Sequence, residues 1–343
     1  MQANLASGFG SAGGGPASIG EDVPADRPVV HLIWEGVLFV IAAVLAVGAI
    51  GSVRGASLTV VFGPAGYIGL IASGLALSLR TATPNLAVGS IATATGIFGA
   101  HLASVDGWSL WSAMTLAVAV ATVIGLITGL VVAALSVPAW AATLAVAFLV
   151  QAAAGGISGE RLIALRNPGS YPTVLWLVIF VVISAGGGAL WLIRGVRISF
   201  SATRTVREPG QWAGLPAGLG AVVGLTGSSL LAAVGGVALT TFDGAADPIT
   251  DGVGLTVTAL AAVLIGGVSI FGRRAGVAGT ILGVVIVQSI AFRLTAHALP
   301  LYWYYVPVAG LAVFGLGVSR ALESITDALN RPRVSGLSGL PGN

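Results

Sequence analysis

A chain of 343 residues with 56% hydrophobic side chains, only 8% charged ones and a net charge of +3 carries too much apolar surface for a water-soluble fold to bury. All 15 basic residues are arginines and cysteine is absent. The chain therefore supplies no Walker A lysine, no lysine Schiff base, no thiol nucleophile, no disulfide and no cysteine metal site, and so small a charge suggests no nucleic-acid surface.

Residues 1–30 are dominated by Gly, Ala, Ser, Pro and Asp and lack the basic start and apolar core of a signal peptide, which reads as a disordered cytoplasmic tail. Apolar stretches follow at about 32–50, 57–79, 84–104, 112–135, 139–156, 172–193, 214–240, 253–270, 275–293 and 302–319. Most approach the ~20 residues that cross the hydrocarbon of a bilayer. The expected fold is an all-α membrane protein, a polytopic bundle of about ten transmembrane helices with a permease domain over 31–320 and a cytoplasmic tail over 321–343. The 51 glycines suit close helix packing in lipid.

With both termini cytoplasmic, Arg27, Arg80, Arg194, Arg197, Arg204, Arg207, Arg273, Arg274, Arg320, Arg331 and Arg333 fall inside, against Arg54, Arg161, Arg166 and Arg293 outside. Eleven against four satisfies the positive-inside rule, and the opposite orientation reverses it. Trp108, Trp111, Tyr302, Trp303, Tyr304 and Tyr305 lie at the outer ends of their stretches, as an aromatic belt requires. His31, His101 and His297 stand far apart near stretch ends, where imidazole suits the headgroup boundary, and imply no metal site.

Three segments go further. In Thr83-Pro84-Asn85-Leu86-Ala87-Val88-Gly89-Ser90, proline and glycine interrupt an apolar run that resumes through His101. Irregular backbone at membrane depth survives only beside protein or water, so a broken helix beside a pathway is expected. The 241–252 loop carries Asp243, Asp247 and Asp251 and leads through Thr256 and Thr258 to Gly266-Gly267. Gly272, Gly276, Gly279 and Gly283 then recur at helical spacing, which makes one flat helix face.

Together these segments resemble the permease subunits of bacterial ABC importers for ribose and related monosaccharides, over about residues 60–320. The family's Asp-Leu-Ser-Val-Gly-Ser signature is similar to Asn85-Leu86-Ala87-Val88-Gly89-Ser90. Its Ala-Thr-Leu segment is similar to Ala142-Thr143-Leu144, and its outer loop running into a double glycine to Pro248 through Gly267. The resemblance implies a second permease chain (a copy or a different one), cytosolic ATPase subunits that hold ATP and Mg, and an external substrate-binding protein, in the bacterial cytoplasmic membrane. It implies no cofactor on this chain and no catalysis by it. Two departures remove carboxylates: Asn85 replaces the signature aspartate, and Thr256-Val257-Thr258 replaces Glu-Leu-Asp. The family's Gly-Gly-Asn-x-x-Ala-Ala docking segment is also missing from the loop between Arg194 and Trp212.

Polar groups in apolar surroundings face protein or water rather than lipid, which selects Asn85, Ser90, Thr143, Gln151, Thr256, Thr258 and Gln288 as pathway candidates. Helix–helix hydrogen bonding is the competing role for each. Arg197, Arg204, Arg207 and Glu208, in the longest basic inner loop, are the ATPase-docking candidates, a topology-setting arginine cluster being the alternative. Arg161, Arg166, Asp243, Asp247 and Arg293 are the candidates for docking the binding protein, or else solvated loop charges. Glu35 lies near the inner end of the first stretch, close enough for its carboxylate to snorkel. With the broken helices it also motivates a different class, a proton-coupled secondary transporter. The divergent inner loop alone motivates a third, a membrane scaffold without transport.

Overall fold

The computed structural model describes residues 28–55, 57–166, 173–193, 196, 215–269, 278–300 and 302–330. Among them ten helices follow in order: α1 Pro28–Ser52, α2 Leu58–Arg80, α3 Val88–Ser104, α4 Leu110–Leu135, α5 Ala139–Ser158, α6 Thr173–Leu192, α7 Leu215–Asp243, α8 Gly252–Ile265, α9 Gly279–Ala296 and α10 Tyr302–Asn330. Two short strands, β1 Ile163–Ala164 and β2 Ala245–Ala246, pair antiparallel with Ile163 opposite Ala246.

Eight of these helices are long and apolar enough to cross a membrane. The other two are α3, of 17 residues, and α8, of 14. Both fall short of the ~20 residues of a full crossing, so the expected bundle of about ten helices with broken helices is, among the described residues, eight long helices and two short ones. Elsewhere the helix ends depart from the apolar stretches for local chemical reasons. The second short helix stops at Ile265 because Gly266-Gly267 follows, with Gly267 at φ +81°, a conformation that ends helices. The last helix runs on to Asn330, through Arg320 and Glu323.

The core is built round α2, which is 72% buried along its span, against 17% for α1. It packs on α6, α7, α8 and α9; α7 also lies along α3 and α4, α5 leans on α3, and α10 on α8. Small residues set the spacing. A Cβ on Gly283 of α9 would collide with the carbonyl of Ala262 in α8, and one on Gly89 of α3 with the carbonyl of Gly252 at the start of α8. The backbones of α3, α8 and α9 thus touch without intervening side chains. Outward faces are apolar, as with Leu32, Phe39 and Val47 on α1 or Phe148 and Leu149 on α5, and meet lipid rather than water.

The arginines expected to dock an ATPase, Arg197, Arg204 and Arg207, lie outside the described residues together with Glu208, as do Arg273, Arg274, Gly272, Gly276 and the tail residues 1–27 and 331–343; of the expected tails, 28–30 open α1 and 321–330 continue α10 as helix.

Candidate functional site

The chain between α2 and α3, residues 81–87, is the irregular backbone that Pro84 predicts. Proline removes a donor and disfavours helix at Thr83, so these peptide groups need partners from elsewhere. Three other helices provide them. Asn85, 1% exposed, donates its amide to Ser228 Oγ at 3.1 Å and Ser229 Oγ at 3.3 Å on α7. Its Oδ1 accepts the Ala87 N–H at 3.0 Å, and its own N–H goes to Ser78 Oγ at 3.1 Å. Thr143 on α5 accepts the Leu86 N–H at 3.0 Å and bonds the Pro84 carbonyl at 3.2 Å. Thr256 on α8 accepts the Gly89 N–H at 3.0 Å and lies 3.3 Å from the Leu86 carbonyl. Inside the turn, the hydroxyls of Thr81 and Thr83 meet at 2.7 Å.

Each of these hydroxyls can donate and accept at once, which is what a turn with both stranded N–H and stranded C=O groups demands. Asn85 exploits the same versatility: its amide reaches two serines while its carbonyl accepts the Ala87 N–H just before α3. An ionised aspartate at this position would present only acceptors to the two serines.

The remaining pathway candidates bind helices together. Thr258 meets Tyr304 Oη of α10 at 3.0 Å and donates to the Gly254 carbonyl. Gln288 of α9 donates to the Val61 carbonyl of α2 at 2.9 Å, tying α9 to α2 near Pro64. Ser90, buried, packs on Gly252. Gln151 of α5 donates to the Pro248 carbonyl at 3.3 Å, and its Oε1 has no hydrogen-bond partner among the described residues. A cavity of about 270 Å³ between α3, α4 and α5, lined by Ile91, Phe98, Ala121, Ile124, Val150 and Ile157, is almost wholly apolar. Its one hydroxyl, Thr95, already donates to the Ile91 carbonyl, so the cavity offers little polar contact to a hydroxyl-rich solute.

At one end of the bundle the β1–β2 ladder joins the 159–166 and 244–251 segments, extended by a bond from the Leu165 N–H to the Gly244 carbonyl. Arg161 and Arg166 flank one strand, Asp243 and Asp247 the other, which brings four of the five proposed docking charges onto one ladder. Asp247 spends one oxygen on the Ile249 N–H. The fifth, Arg293, lies in the last turn of α9 beside Gly48 of α1. The aromatic cluster divides: Trp108, Trp111, Tyr302 and Trp303 are exposed as a belt requires, while Tyr304 meets Thr258 and Tyr305 donates to Asp251 at 3.3 Å.

Glu35, half-buried, has a role in the fold that the sequence did not suggest. Its carboxylate accepts the N–H groups of Ala278 and Gly279 at 3.0 and 3.1 Å, so it caps α9. No local signal marks this, because the partners lie 243 and 244 residues away.

These features define a multi-pass helical membrane protein in which buried polar side chains of α5, α7 and α8 converge on one broken helix connection. The chain belongs to the family described as branched-chain amino acid transport system / permease component, whose model matches residues 57–316. Its relatives include the fructose import permease protein FruF of Bifidobacterium longum, 28% identical over 253 residues and 70% of each chain. The autoinducer 2 import system permease protein LsrC of Yersinia pseudotuberculosis is 27% identical over 75% of each chain. LsrC of Enterobacter sp. is 29% identical over 76% of this chain and 77% of that relative. No solved structure matches.

Proposed function

We propose that this chain is the transmembrane permease subunit of an ATP-binding cassette importer in the bacterial cytoplasmic membrane, carrying a monosaccharide or similar polar metabolite. The observation that carries the reading is the α2–α3 connection: irregular backbone pinned by three helices, in a chain of the permease-component family. Such backbone is tolerated at membrane depth where it is buried in protein or lines a solute path. Relatives named for fructose and autoinducer 2 import support a small polar cargo over a branched-chain amino acid.

The solute passes between this chain and a second permease chain as the pair alternates between outward and inward openings. Among the seven polar candidates, Gln151 keeps a buried Oε1 with no hydrogen-bond partner among the described residues, which leaves it capacity to meet the solute. Asn85, Ser90, Thr143, Thr256, Thr258 and Gln288 shape the path from behind by fixing α3, α8, α9 and α10. Both termini are cytoplasmic, in keeping with the arginine distribution. Arg161, Arg166, Asp243 and Asp247, together with Arg293 beside α1, steer the external binding protein. Arg197, Arg204, Arg207 and Glu208 dock the ATPase, which supplies the Walker A lysine this chain lacks and holds ATP and Mg.

The proton-coupled alternative loses the carboxylate part of its motivation, because Glu35 is engaged as a helix cap. Uptake into membrane vesicles tests the proposal. It is expected only when the ATPase and the binding protein are co-expressed, and uptake by this chain alone refutes it.

A further inference from the structure

The importer reading leaves the cavity between α3, α4 and α5 without a task. Its floor is closed: Ile91 and Thr95 of α3, Ala121 of α4 and Ala154 of α5 are each 5% exposed or less. Its rim is open, with Val120 of α4 40% exposed, Ile157 of α5 36% exposed, and Ala153 of α5 exposed as well. The cavity therefore opens sideways, through a gap between α4 and α5. That gap exists because each of these helices packs on α3 and scarcely on the other.

The opening faces lipid, since α4 and α5 are both long and apolar enough to cross a membrane. The lining stretch of α4, residues 117–124, begins seven residues in from Leu110, and that of α3 ends at Phe98, six residues short of Ser104. At 1.5 Å per residue, both place the near end of the cavity about 10 Å below the helix ends, within the ~30 Å of hydrocarbon. Water has no hold there: a buried water needs two or more polar partners, and Thr95 already donates to the Ile91 carbonyl. Left empty, about 270 Å³ of cavity forfeits the dispersion contacts of its lining. A flexible apolar chain entering from the bilayer recovers them at no desolvation cost, because lipid tails are as apolar as the lining.

Headgroup chemistry lies at the same end of these helices. Just beyond α3 and α5 come the exposed Asp106, Glu160 and Arg161, and the exposed Trp108 precedes α4. Two carboxylates and a guanidinium complement a zwitterionic headgroup, ammonium to the acids and phosphate to the arginine. An indole suits the headgroup level.

We propose that this cavity is a lipid site, in which one acyl chain of a zwitterionic phospholipid enters between α4 and α5 and lies against α3. That helix leaves the α2–α3 connection, so the lipid supports the element on which the irregular backbone is mounted. The site stands on this geometry whichever solute is carried.

For the test, the full-length chain is reconstituted, alone and with its partner permease and ATPase, in phosphatidylethanolamine vesicles. A fraction of that lipid carries a diazirine midway along one acyl chain, and adducts formed on irradiation are mapped by mass spectrometry. Surface lipid reaches exposed residues such as Phe39 of α1 in any case, whereas the buried Ile91 and Thr95 are reached through the cavity. Adducts on residues 91–98 are expected in both preparations, well above those on residues 68–76 of α2, which are equally buried. Ala121→Leu fills the cavity with the volume of several methylenes and should cut the 91–98 adducts about tenfold, with those on Phe39 unchanged. Should that variant not accumulate, Ala154→Leu must give the same loss. Adducts on 91–98 no more frequent than on 68–76, or undiminished by filling, would overturn the proposal. So would adducts formed on the chain alone but lost in the assembly, since the partner permease would then occupy the opening. Equal labelling of 91–98 by an anionic phosphatidylglycerol probe with the same acyl chain would overturn the zwitterionic assignment.

Discussion

Replacing Thr256 by valine separates a hydroxyl that braces irregular backbone from one that merely decorates a helix. Thr256 accepts the Gly89 N–H, a donor in the first turn of α3 that has no helical partner. Valine has the same shape and β-branching, so the change removes the acceptor with little effect on packing or rotamer freedom. A hydrogen bond between membrane helices averages about 0.6 kcal/mol, whereas a buried donor left without a partner costs about 1–3 kcal/mol. The stranded donor dominates, and a loss of about 1.5 kcal/mol is expected, roughly tenfold in the unfolding equilibrium. Thr143→Val, which strands the Leu86 N–H, should cost a similar amount. Thr122 is the control: among the described residues its hydroxyl bonds only the Val118 carbonyl of its own helix, and Thr122→Val should cost about 0.5 kcal/mol or less. The assay is reversible unfolding of the purified protein in mixed micelles by titration with sodium dodecyl sulfate. Should Thr256→Val and Thr122→Val agree within the ~0.3 kcal/mol of such comparisons, the bracing account is wrong.

Other expectations follow from the same contacts. Gly267→Ala places a Cβ at φ +81° and 3.0 Å from Trp34, and should cost about 1–3 kcal/mol in the same unfolding assay. Gly283→Leu drives a side chain into the Ala262 carbonyl, so α8 and α9 must separate; a marked loss of folded protein by size-exclusion chromatography is expected. Gln151→Leu should raise the solute KM of uptake while leaving the unfolding midpoint near that of the parent chain, and an unchanged KM would remove Gln151 from the pathway. Arg161→Glu with Arg166→Glu should reduce the association rate of the binding protein and weaken the salt dependence of that rate, measured by stopped flow.

The helices were legible in the sequence because lipid imposes a simple demand, a continuous apolar run with its backbone bonded internally. The apolar stretch at 139–156 became Ala139–Ser158, and that at 172–193 became Thr173–Leu192. The misjudged ends are those where capping chemistry, invisible to hydropathy, decides. Val88 rather than Pro84 starts α3, because residues 81–87 stay irregular and are bonded from other helices. Ile265 ends α8 because two glycines follow, and Gly279 begins α9 where Glu35 can reach its first amides.

The site was legible by residue type but not by partner. Asn85, Thr143 and Thr256 stand out as polar groups in apolar segments, yet their convergence on one connection depends on contacts such as Asn85 with Ser228, 143 residues apart. Ser228 and Ser229 were missed because serine is unremarkable in a small-residue membrane helix. Glu35 was visible as an anomaly, and only the fold reveals the helix end that it serves.

The central claim is that this chain conducts solute as part of an ATP-driven assembly. The most direct measurement uses proteoliposomes holding the chain with its partner permease and ATPase, ATP enclosed, the binding protein and its solute outside, and a protonophore added at constant ATP. Uptake that follows enclosed ATP and is indifferent to the protonophore is the predicted result. Uptake that proceeds without ATP, or collapses with the proton gradient while ATP is held constant, would contradict the account.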